Sequence, residues 1–361
     1  MKRPSCILMF AMFLYSAISQ AQNYSDSRFV SKSFPASNLK LIELSNKYGD
    51  VLVETWDKDS LKFEIEITVK GEKFEHLEML MDMVKTEVFS NGDFASASTK
   101  IGEESGLLQK SRYAIANKIS GNQRIIVDYK LFMPARIPLR LKNRFGDVIL
   151  PNMTAHVDLE VAHGNVKGRN FKTLNAQLSY GELRASKILK ANLNLNYMDD
   201  VEIDEVIDLE LISVSSKLHI EKVETLEIES KHDKLIFDEL DLLRGQTSFS
   251  RLKIARLNKR CTLNSKFGEV KIESLSNSLN SINCIGSSTD YEIFWSEGFS
   301  ANFDLQLENA KTVVLPNSGI TIIKDQTIEK LRSLNGKIGD AAQGADLRIN
   351  AKNAYITLGH Q

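Results

Sequence analysis

The chain has 361 residues, with 46 lysines and arginines against 47 aspartates and glutamates, 42% hydrophobic residues and 6 prolines. This charge balance excludes a global field that attracts nucleic acid or anionic lipid, and the composition excludes a disordered or collagen-like chain. The length is enough for a sizeable hydrophobic core, whereas the two cysteines that follow the N-terminal segment 1–21 are too few for a disulfide framework.

The N-terminal segment 1–21 has the layout of a secretory signal peptide. Lys2 and Arg3 form a basic start, residues 6–18 form an apolar core too short to span a bilayer well, and residues 19–21 are suited to cleavage. We therefore expect an exported protein whose mature chain starts near Gln22 and contains no transmembrane segment. The alternative is an uncleaved N-terminal anchor.

The next segments alternate between strand and helix signals. Residues 42–53 contain two short alternating stretches around Tyr48 and Gly49, which predicts two strands joined by a bend. Residues 61–71 alternate as a strand, and the spacing over 72–88 predicts a helix with Phe74, Leu77 and Leu80 on one side. Residues 101–123 are predicted to form an irregular excursion, after which the chain returns to strand.

A repeat with a period of about 17–18 residues dominates positions 139–316. Its reference point, the anchor, is the residue at the bend between two alternating stretches. Apolar or small residues lie six and four positions before the anchors, and apolar residues recur three and five positions after most of them. The anchors are Phe145, His163, Tyr180, Tyr197, Ser215, His232, Phe249, Phe267 and Ser288, the last after a longer interval than the others.

The constant period predicts a β-solenoid rather than a meander of hairpins. In a solenoid each coil must place the same position over the same position of the next coil, whereas a meander has no reason to hold one period. A bend separates the two strands of each coil, and glycine suits a bend that needs positive φ. The bend glycines are Gly49, Gly146, Gly164, Gly181 and Gly268. Coils are expected from near residue 40 to near residue 358, with the main ladder forming a rod roughly 40 Å long.

The ends of the solenoid are predicted to be covered. A second excursion at 317–344 contains a stretch, 327–334, that predicts a short helix, and both excursions are interpreted as end covers. The predicted organisation is a signal peptide at 1–21, an N-terminal coil with strands and a helical insertion at 22–138, the main ladder at 139–316, and a C-terminal excursion with a final coil at 317–361. The predicted fold class is all-β, a β-solenoid (β-helix) of 17–18-residue coils with two strands per coil and a short helical insertion.

Two short motifs carry a resemblance to a known family. Residues 46–51 read Asn-Lys-Tyr-Gly-Asp-Val, and residues 143–148 read Asn-Arg-Phe-Gly-Asp-Val. With the secretory start, the helical insertion and the run of β coils, most of the mature chain resembles the bacterial putative-adhesin family related to the head GIN domain. The resemblance implies a β-solenoid on an exported bacterial protein, in the periplasm or at the cell surface. It implies no established reaction.

No residue pattern predicts a catalytic, cofactor or metal site. His163 and His232 are anchors four coils apart, roughly 19 Å along the rod, so they cannot share a metal ion. Asp199 and Asp200 lie where one coil gains a residue, and they are weak candidates for calcium binding or acid–base catalysis. Mixed solvated surface charge explains the same two residues without catalysis.

The anchor side chains are expected to stack along successive coils as a structural ladder. Because this stripe is in phase with the apolar positions, the sequence favours a place in the core, although such a stripe would bind sugars if it were exposed. The ladder comprises Tyr48, Phe145, His163, Tyr180, Tyr197, His232, Phe249 and Phe267. Small polar residues two positions before four anchors predict a second stack, whose hydroxyls satisfy each other's hydrogen bonds. They are Ser213, Ser230, Thr247 and Ser265.

The two cysteines of the mature chain are predicted to be buried free thiols. Cys261 lies six positions before its anchor and Cys284 four positions before the next one, so the two side chains point inward on neighbouring coils but are offset along the strands by two positions. Diagonal neighbours lie about 7–8 Å apart, which exceeds the usual Cα separation of a disulfide.

The sequence favours an exported, non-enzymatic β-solenoid of the cell envelope that acts as a binding, adhesion or structural module. Its expected partner is an unidentified surface ligand, glycan or envelope protein, without a cofactor or nucleic acid. One alternative is a carbohydrate-active enzyme on a β-helix, which requires acidic and basic residues clustered across adjacent coils. The other is an envelope-sensing accessory protein.

Overall fold

The structure is a computed structural model that describes residues 24–102, 124–340 and 344–360. The expected signal peptide and nearly all of the excursion at 101–123 lie outside these residues. Among the described residues, no helix is both long and apolar enough to cross a membrane.

Strands make up nearly all of the regular structure. The N-terminal elements are β1 Tyr24–Pro35, β2 Leu41–Lys47, β3 Val51–Thr55, β4 Ser60–Gly71, α1 Phe74–Asp82, β5 Val84–Ser90, β6 Phe94–Ile101 and β7 Arg124–Met133. The central strands are β8 Leu139–Arg144, β9 Val148–Ile149, β10 Met153–Ala162, β11 Val166–Lys167, β12 Asn170–Ser179, β13 Glu182–Asn196, β14 Asp200–Val214, β15 Lys217–Lys231, β16 Lys234–Ser248, β17 Arg251–Leu275 and β18 Ser281–Trp295. The C-terminal strands are β19 Ala301–Glu308, β20 Lys311–Val314, β21 Ile320–Ile328, β22 Leu331–Ile338, β23 Ala345–Lys352 and β24 Tyr355–His360.

The predicted β-solenoid is confirmed by the strand register. Leu183 pairs with Val201, Val201 with Leu218, and Leu218 with Leu235, always in parallel strands. Leu174 pairs with Ala191 of the next coil, so the two strands around Tyr180 belong to one coil and do not form a hairpin with each other. Equivalent apolar side chains therefore stack in columns, and these columns form the buried core.

The first coil lies far from the central ladder in sequence but is adjacent to it in space. β2 pairs in parallel with β8, and β3 with β9, so that Leu44 stacks on Leu141 and Val51 on Val148. β7 then covers β3, with β4 and β1 continuing antiparallel beyond it, while β6 and β5 cover β2. These strands continue the sheets beyond the first coil.

The order of coils at the other end differs from the chain order. β23 pairs with both β18 and β19, so that Leu347 lies between Ile282 and Phe303. β24 likewise lies between β18 and β20. The last coil of the chain is therefore inserted beneath the preceding one, because the outer edge of β19 is occupied by β22.

Two predicted helices are corrected by the structure. The helix expected over 72–88 ends at Asp82, because Val84 and Val88 are inward-facing residues of β5, which pairs with β6. The stretch 327–334 is a hairpin between β21 and β22 and contains no helix. Its Leu334 is buried on pairing with β19, and this tertiary contact overrides the local helical spacing.

The predicted register of the cysteines is confirmed. Cys261 pairs with Ile282, and Leu263 pairs with Cys284, so the two cysteines are diagonal neighbours on adjacent coils. Both are fully buried free cysteines. Contact with Cys284 and burial raise the pKa of the Cys261 thiol well above its ordinary value, so the thiol stays neutral.

Candidate functional site

Each coil turns from its first strand to its second at one left-handed residue. The anchors with rings have φ between 53° and 63°, and Ser215 and Ser288 have φ of 54° and 52°. A non-glycine residue in this region is uncommon, and its regular recurrence marks one defined corner along the rod. Tyr180 shows the pattern: its N–H donates to the carbonyl of Asn196 in the next coil.

The bend glycines serve close packing rather than positive φ, which corrects the sequence interpretation. A Cβ on Gly164 would lie 2.0 Å from the carbonyl oxygen of Gly146, and one on Gly181 would lie 2.1 Å from that of Gly164. Neither glycine has positive φ, which belongs to the preceding anchor. Glycine is needed here because backbones of adjacent coils touch at the corner.

The remaining polar residues of the two motifs satisfy backbone groups at this corner. The side-chain amide of Asn143 donates to the carbonyls of Gly49 and Gly146, at 3.0 and 2.9 Å. The N–H of Asp147 donates to Asp50 Oδ1 at 2.8 Å, and the next coil repeats this contact through the N–H of Asn165 and Asp147 Oδ1. Motif residues that carry the family resemblance therefore have structural roles here.

The ladder of anchor rings is exposed, so the prediction that it belongs to the core is wrong. Phe145 is 45% exposed, Tyr180 49% and Tyr197 51%, and His163 and His232 are also exposed. The alternation predicts inward-facing positions only within the strands. At the anchor the left-handed conformation breaks the alternation and turns the side chain to the outside.

The rings form two stacks along this corner, which we call the aromatic corner. The first stack has neighbouring centroids 4.7 to 5.2 Å apart and planes within 17° of parallel, and it runs Tyr48, Phe145, His163, Tyr180, Tyr197. The second stack has spacings of 4.9 and 4.8 Å and runs His232, Phe249, Phe267. Within each stack the ring faces cover one another, so ring edges point to solvent and only the end rings have a face that no stacked ring covers. At the Tyr48 end, the ammonium of Lys47 lies over the ring, 4.6 Å from its centroid.

The two stacks are separated by one coil whose anchor is Ser215. The N–H of Tyr197 donates to the carbonyl of Val214, and the N–H of Ser215 donates to that of Lys231, both at 2.9 Å. The coils therefore stack without interruption while one ring is missing. We call this break the Ser215 gap.

A polar cluster is buried beneath the gap. Asp233 is 4% exposed, and its carboxylate accepts hydrogen bonds from the N–H groups of Ser216 (2.7 Å) and Lys231 (3.1 Å) and from the Ser230 hydroxyl (2.6 Å). Burial raises the pKa of the Asp233 carboxyl above its ordinary value, and these hydrogen bonds oppose the shift.

The predicted hydroxyl stack exists, but its hydrogen bonding differs from the expectation. Ser213 pairs with Ser230, Ser230 with Thr247, and Thr247 with Ser265, all buried. The Ser230 hydroxyl donates to Asp233 as described, and the Ser265 hydroxyl lies 2.5 Å from the Tyr291 hydroxyl. For these two residues the partners are other side chains, because each has a longer polar side chain within reach.

The two weak candidates for chemistry lie at the edge of the gap. Asp200 aligns with Glu182 and lies 3.6 Å from Arg184, which also approaches Glu182 and Glu202 within 4 Å. Asp199 belongs to the coil with the extra residue and is exposed. Among the described residues, no group of three or more His, Cys, Asp or Glu side chains could hold a metal ion. The arrangement around Arg184 is a surface charge network.

Sequence reasoning missed a row of basic residues beside the gap. Lys217, Lys234 and Arg251 are paired in register on consecutive coils, and we call them the basic track. They line a surface depression of about 460 Å³ together with Ser215, Ser216, His232, Asp199, Met198, Asp233 and Phe249. The signal was present in the sequence, because within the main ladder the position two after the anchor is basic only at these three coils.

No protein-family model matches the chain, and no curated protein does. Among solved structures, it is similar to a putative cell adhesion protein from Clostridium sporogenes at 10% identity, covering 93% of this chain and 100% of that chain with a TM-score of 0.21. It is also similar to a putative lipid binding protein from Parabacteroides distasonis at 12% identity, covering 91% and 96% of the two chains with a TM-score of 0.32.

A putative adhesin from Parabacteroides distasonis matches at 12% identity, covering 74% of this chain and 98% of that chain with a TM-score of 0.34. The chain is thus similar to putative adhesins of known structure, as the sequence resemblance implied. The similarity is distant, and the solenoid assignment rests on the strand register.

Proposed function

We propose that this protein is a non-catalytic binding module of the bacterial cell envelope, and that the aromatic corner is its binding surface. The observation that carries the proposal is the exposure of two ring stacks along one edge of the rod. Large exposed apolar patches on soluble proteins mark interaction sites more often than scattered apolar residues do. The sequence already indicated that such a stripe would bind sugars if it were exposed.

The fold itself does not require rings at this corner. Ser215, Ser288, Asn309 and Asn353 hold the same left-handed conformation with φ of 50° to 54° and without a ring. Asparagine is among the residues that adopt this conformation most readily. Rings at the other anchors therefore contribute something that the turn does not need, either stacking stability or ligand contact.

The rigidity of the corner supports a binding role. The anchors lie between strands that pair with the coils above and below, except Phe267 and Ser288, which lie within β17 and β18. The buried columns run beneath them. A surface held in this way loses little conformational entropy when a ligand binds. An extended ligand aligned with the rod can contact several coils at a repeat of roughly 4.8 Å.

The surroundings of Asp199 and Asp200 favour binding over catalysis. Glu182, Asp200 and Glu202 share Arg184 at 3.7, 3.6 and 3.4 Å in an exposed network. None of these three carboxyls is deeply buried, and all three are in contact with the same arginine, which leaves none of them positioned toward a cleft that could hold a substrate. We further propose that residues 1–21 direct export, that residues 22–138 cover one end of the main ladder, and that the hairpin of β21 and β22 within 317–361 covers the other end.

A glycan array probed with residues 22–361, followed by titration of the bound glycans, tests this function. Tyr180→Asn combined with Phe145→Asn removes two rings and keeps residues that accept positive φ. We expect this variant to bind at least tenfold more weakly. Tyr355→Asn is the control, because Tyr355 is 56% exposed but lies outside the ladder. Equal binding by the double variant and the parent would refute the assignment of the corner.

A further inference from the structure

The Ser215 gap is one ring wide. Neighbouring rings within a stack are 4.7 to 5.2 Å apart, and the backbone hydrogen bonds across the gap have ordinary lengths. Tyr197 and His232 are therefore two coil rises apart, roughly 9.6 Å. Among the described residues, no ring stacks on Tyr197 from the side of the gap or on His232 from the other side, and the anchor between them is the half-buried Ser215. A flat ring inserted there would continue the stack from one side to the other.

The depression at the gap has room for more than a single ring. Its volume is about 460 Å³, and it extends from Ser215 and His232 to the basic track. It opens directly to solvent along the rod, since Lys217, Lys234 and Arg251 are all exposed. A ligand ring in the gap can therefore carry a substituent toward the track and belong to a longer chain that continues along the corner.

Two of the three cations of the basic track have no carboxylate partner among the described residues. Among the described residues, neither Lys217 nor Lys234 forms an ion pair, and Arg251 has only a 3.8 Å contact with Glu269 while its side chain is 79% exposed. Like charges directly opposite on neighbouring strands are unfavourable. Along another column of this rod the charges do alternate from coil to coil, beginning with the 2.7 Å pair of Lys187 and Glu205 and continuing through Lys222, Glu239 and Arg256. A row of three cations fits an anionic ligand.

The buried Asp233 does not account for the track. Its carboxylate is occupied by the two N–H groups and the hydroxyl described above, and within the described part of the chain it has no lysine or arginine side chain in ion-pair contact. Asp199 contributes one exposed carboxylate to the depression. The three cations outnumber these carboxylates, so the depression keeps a net positive charge.

We propose that the Ser215 gap binds one sugar ring of an acidic glycan, with the ring between Tyr197 and His232 and its carboxylate on the basic track. This inference rests on the proposed function and names its ligand class, a uronic acid residue within a polysaccharide. A sugar is favoured over a small aromatic acid because the site opens along the rod and has the Ser215 hydroxyl at its base. The free ring faces pack against the apolar face of the sugar, and charge-assisted hydrogen bonds hold the carboxylate.

Calorimetric titration of residues 22–361 with hexagalacturonate tests the inference, with maltohexaose as the neutral probe and benzoate as the aromatic acid. Ser215→Tyr fills the gap from within, and the neighbouring anchors Tyr180 and Tyr197 show that tyrosine fits this conformation. We expect this variant to lose hexagalacturonate binding at least tenfold while remaining folded. Ser288→Tyr is the matched control, because it adds a ring at another serine anchor and leaves the gap open.

The charge requirement is tested separately. Lys217→Gln with Lys234→Gln should weaken hexagalacturonate binding at least tenfold and reduce its salt dependence. Lys253→Gln with Lys271→Gln changes the net charge equally, outside the gap, and should leave binding unchanged. Benzoate binding without hexagalacturonate binding would overturn the assignment to an acidic sugar.

The results separate this inference from the proposed function. Unchanged hexagalacturonate binding by a folded Ser215→Tyr protein would overturn the gap as the site, while weaker glycan binding by the Tyr180→Asn and Phe145→Asn protein would still support the corner. Failure of every acidic glycan to bind, with neutral glycans bound at the corner, would overturn only the ligand class. Absence of any glycan binding would overturn both.

Discussion

Replacing Gly164 with alanine should be among the most damaging single-methyl changes in this protein. The added Cβ would lie 2.0 Å from the carbonyl oxygen of Gly146, about 1 Å closer than real Cβ atoms approach other atoms. Both atoms that clash belong to the backbone or are fixed to it, so no side chain can rotate away. The two coils have to separate along the rod.

This separation acts on the hydrogen bonds between the same coils. The N–H of Phe145 donates to Ala162 at 3.0 Å and the N–H of Val148 donates to Asn165 at 2.8 Å, on either side of the contact. Lengthening both by about 1 Å breaks them, at about 0.5–1.5 kcal/mol each, and overpacking adds about 1–3 kcal/mol. We therefore expect Gly164→Ala to lower the free energy of unfolding by about 2–6 kcal/mol.

Urea titration followed by circular dichroism measures this change, with Gly92→Ala as the control. Gly92 has φ of 96°, and a Cβ there would have no atom within 4 Å, so alanine incurs only backbone strain of about 1–3 kcal/mol. A Gly164→Ala protein within about 0.5 kcal/mol of the parent would refute the close-contact explanation. A protease-resistance profile that localises the loss to neighbouring coils would support it further.

Three further predictions concern the interior. Leu211→Asp buries a charge at a position 1% exposed and should lower the free energy of unfolding by about 3–5 kcal/mol. Glu210→Lys lies on the outward face and should change that free energy by no more than about 0.5 kcal/mol. Equal shifts of the melting temperature in the two variants would contradict the assigned faces. Denatured, unreduced protein of residues 22–361 should show two reactive thiols, from Cys261 and Cys284, and none would mean that they form a disulfide. Burial raises the folded-state pKa of Asp233 above its unfolded value of about 3.9. The free energy of unfolding should therefore fall as the pH rises from about 4 through that raised pKa. Asp233→Asn should flatten this part of a plot of urea midpoint against pH.

Local sequence patterns were sufficient to predict the coils, because every coil of a solenoid repeats the same alternation of inward-facing and outward-facing residues. Leu183, Val201, Leu218 and Leu235 each face inward within their own strand, and a fixed period is enough to place them over one another. The diagonal offset of Cys261 and Cys284 followed from the same counting. The longer interval between their coils left this register unchanged.

The structure at the ends of the rod could not be predicted from local patterns, because it depends on contacts between residues far apart in the sequence. The stretch 327–334 has helical spacing, yet it forms a hairpin because its second strand, β22, pairs with the outer edge of β19. The same edge explains the insertion of the last coil beneath its predecessor. In both places an edge created by distant residues decided the conformation.

By itself, the sequence determined the parallel β coils, their period and the columns of buried residues, since period-two alternation and a constant repeat depend only on neighbours along the chain. Only the tertiary structure decided that the anchor rings are outside, because the left-handed turn at residues such as Tyr180 reverses the direction that alternation predicts. It also decided why Gly164 must be glycine, since the atom that limits it belongs to the coil below. The Ser215 gap and the basic track beside it become one candidate site only when the coils are stacked.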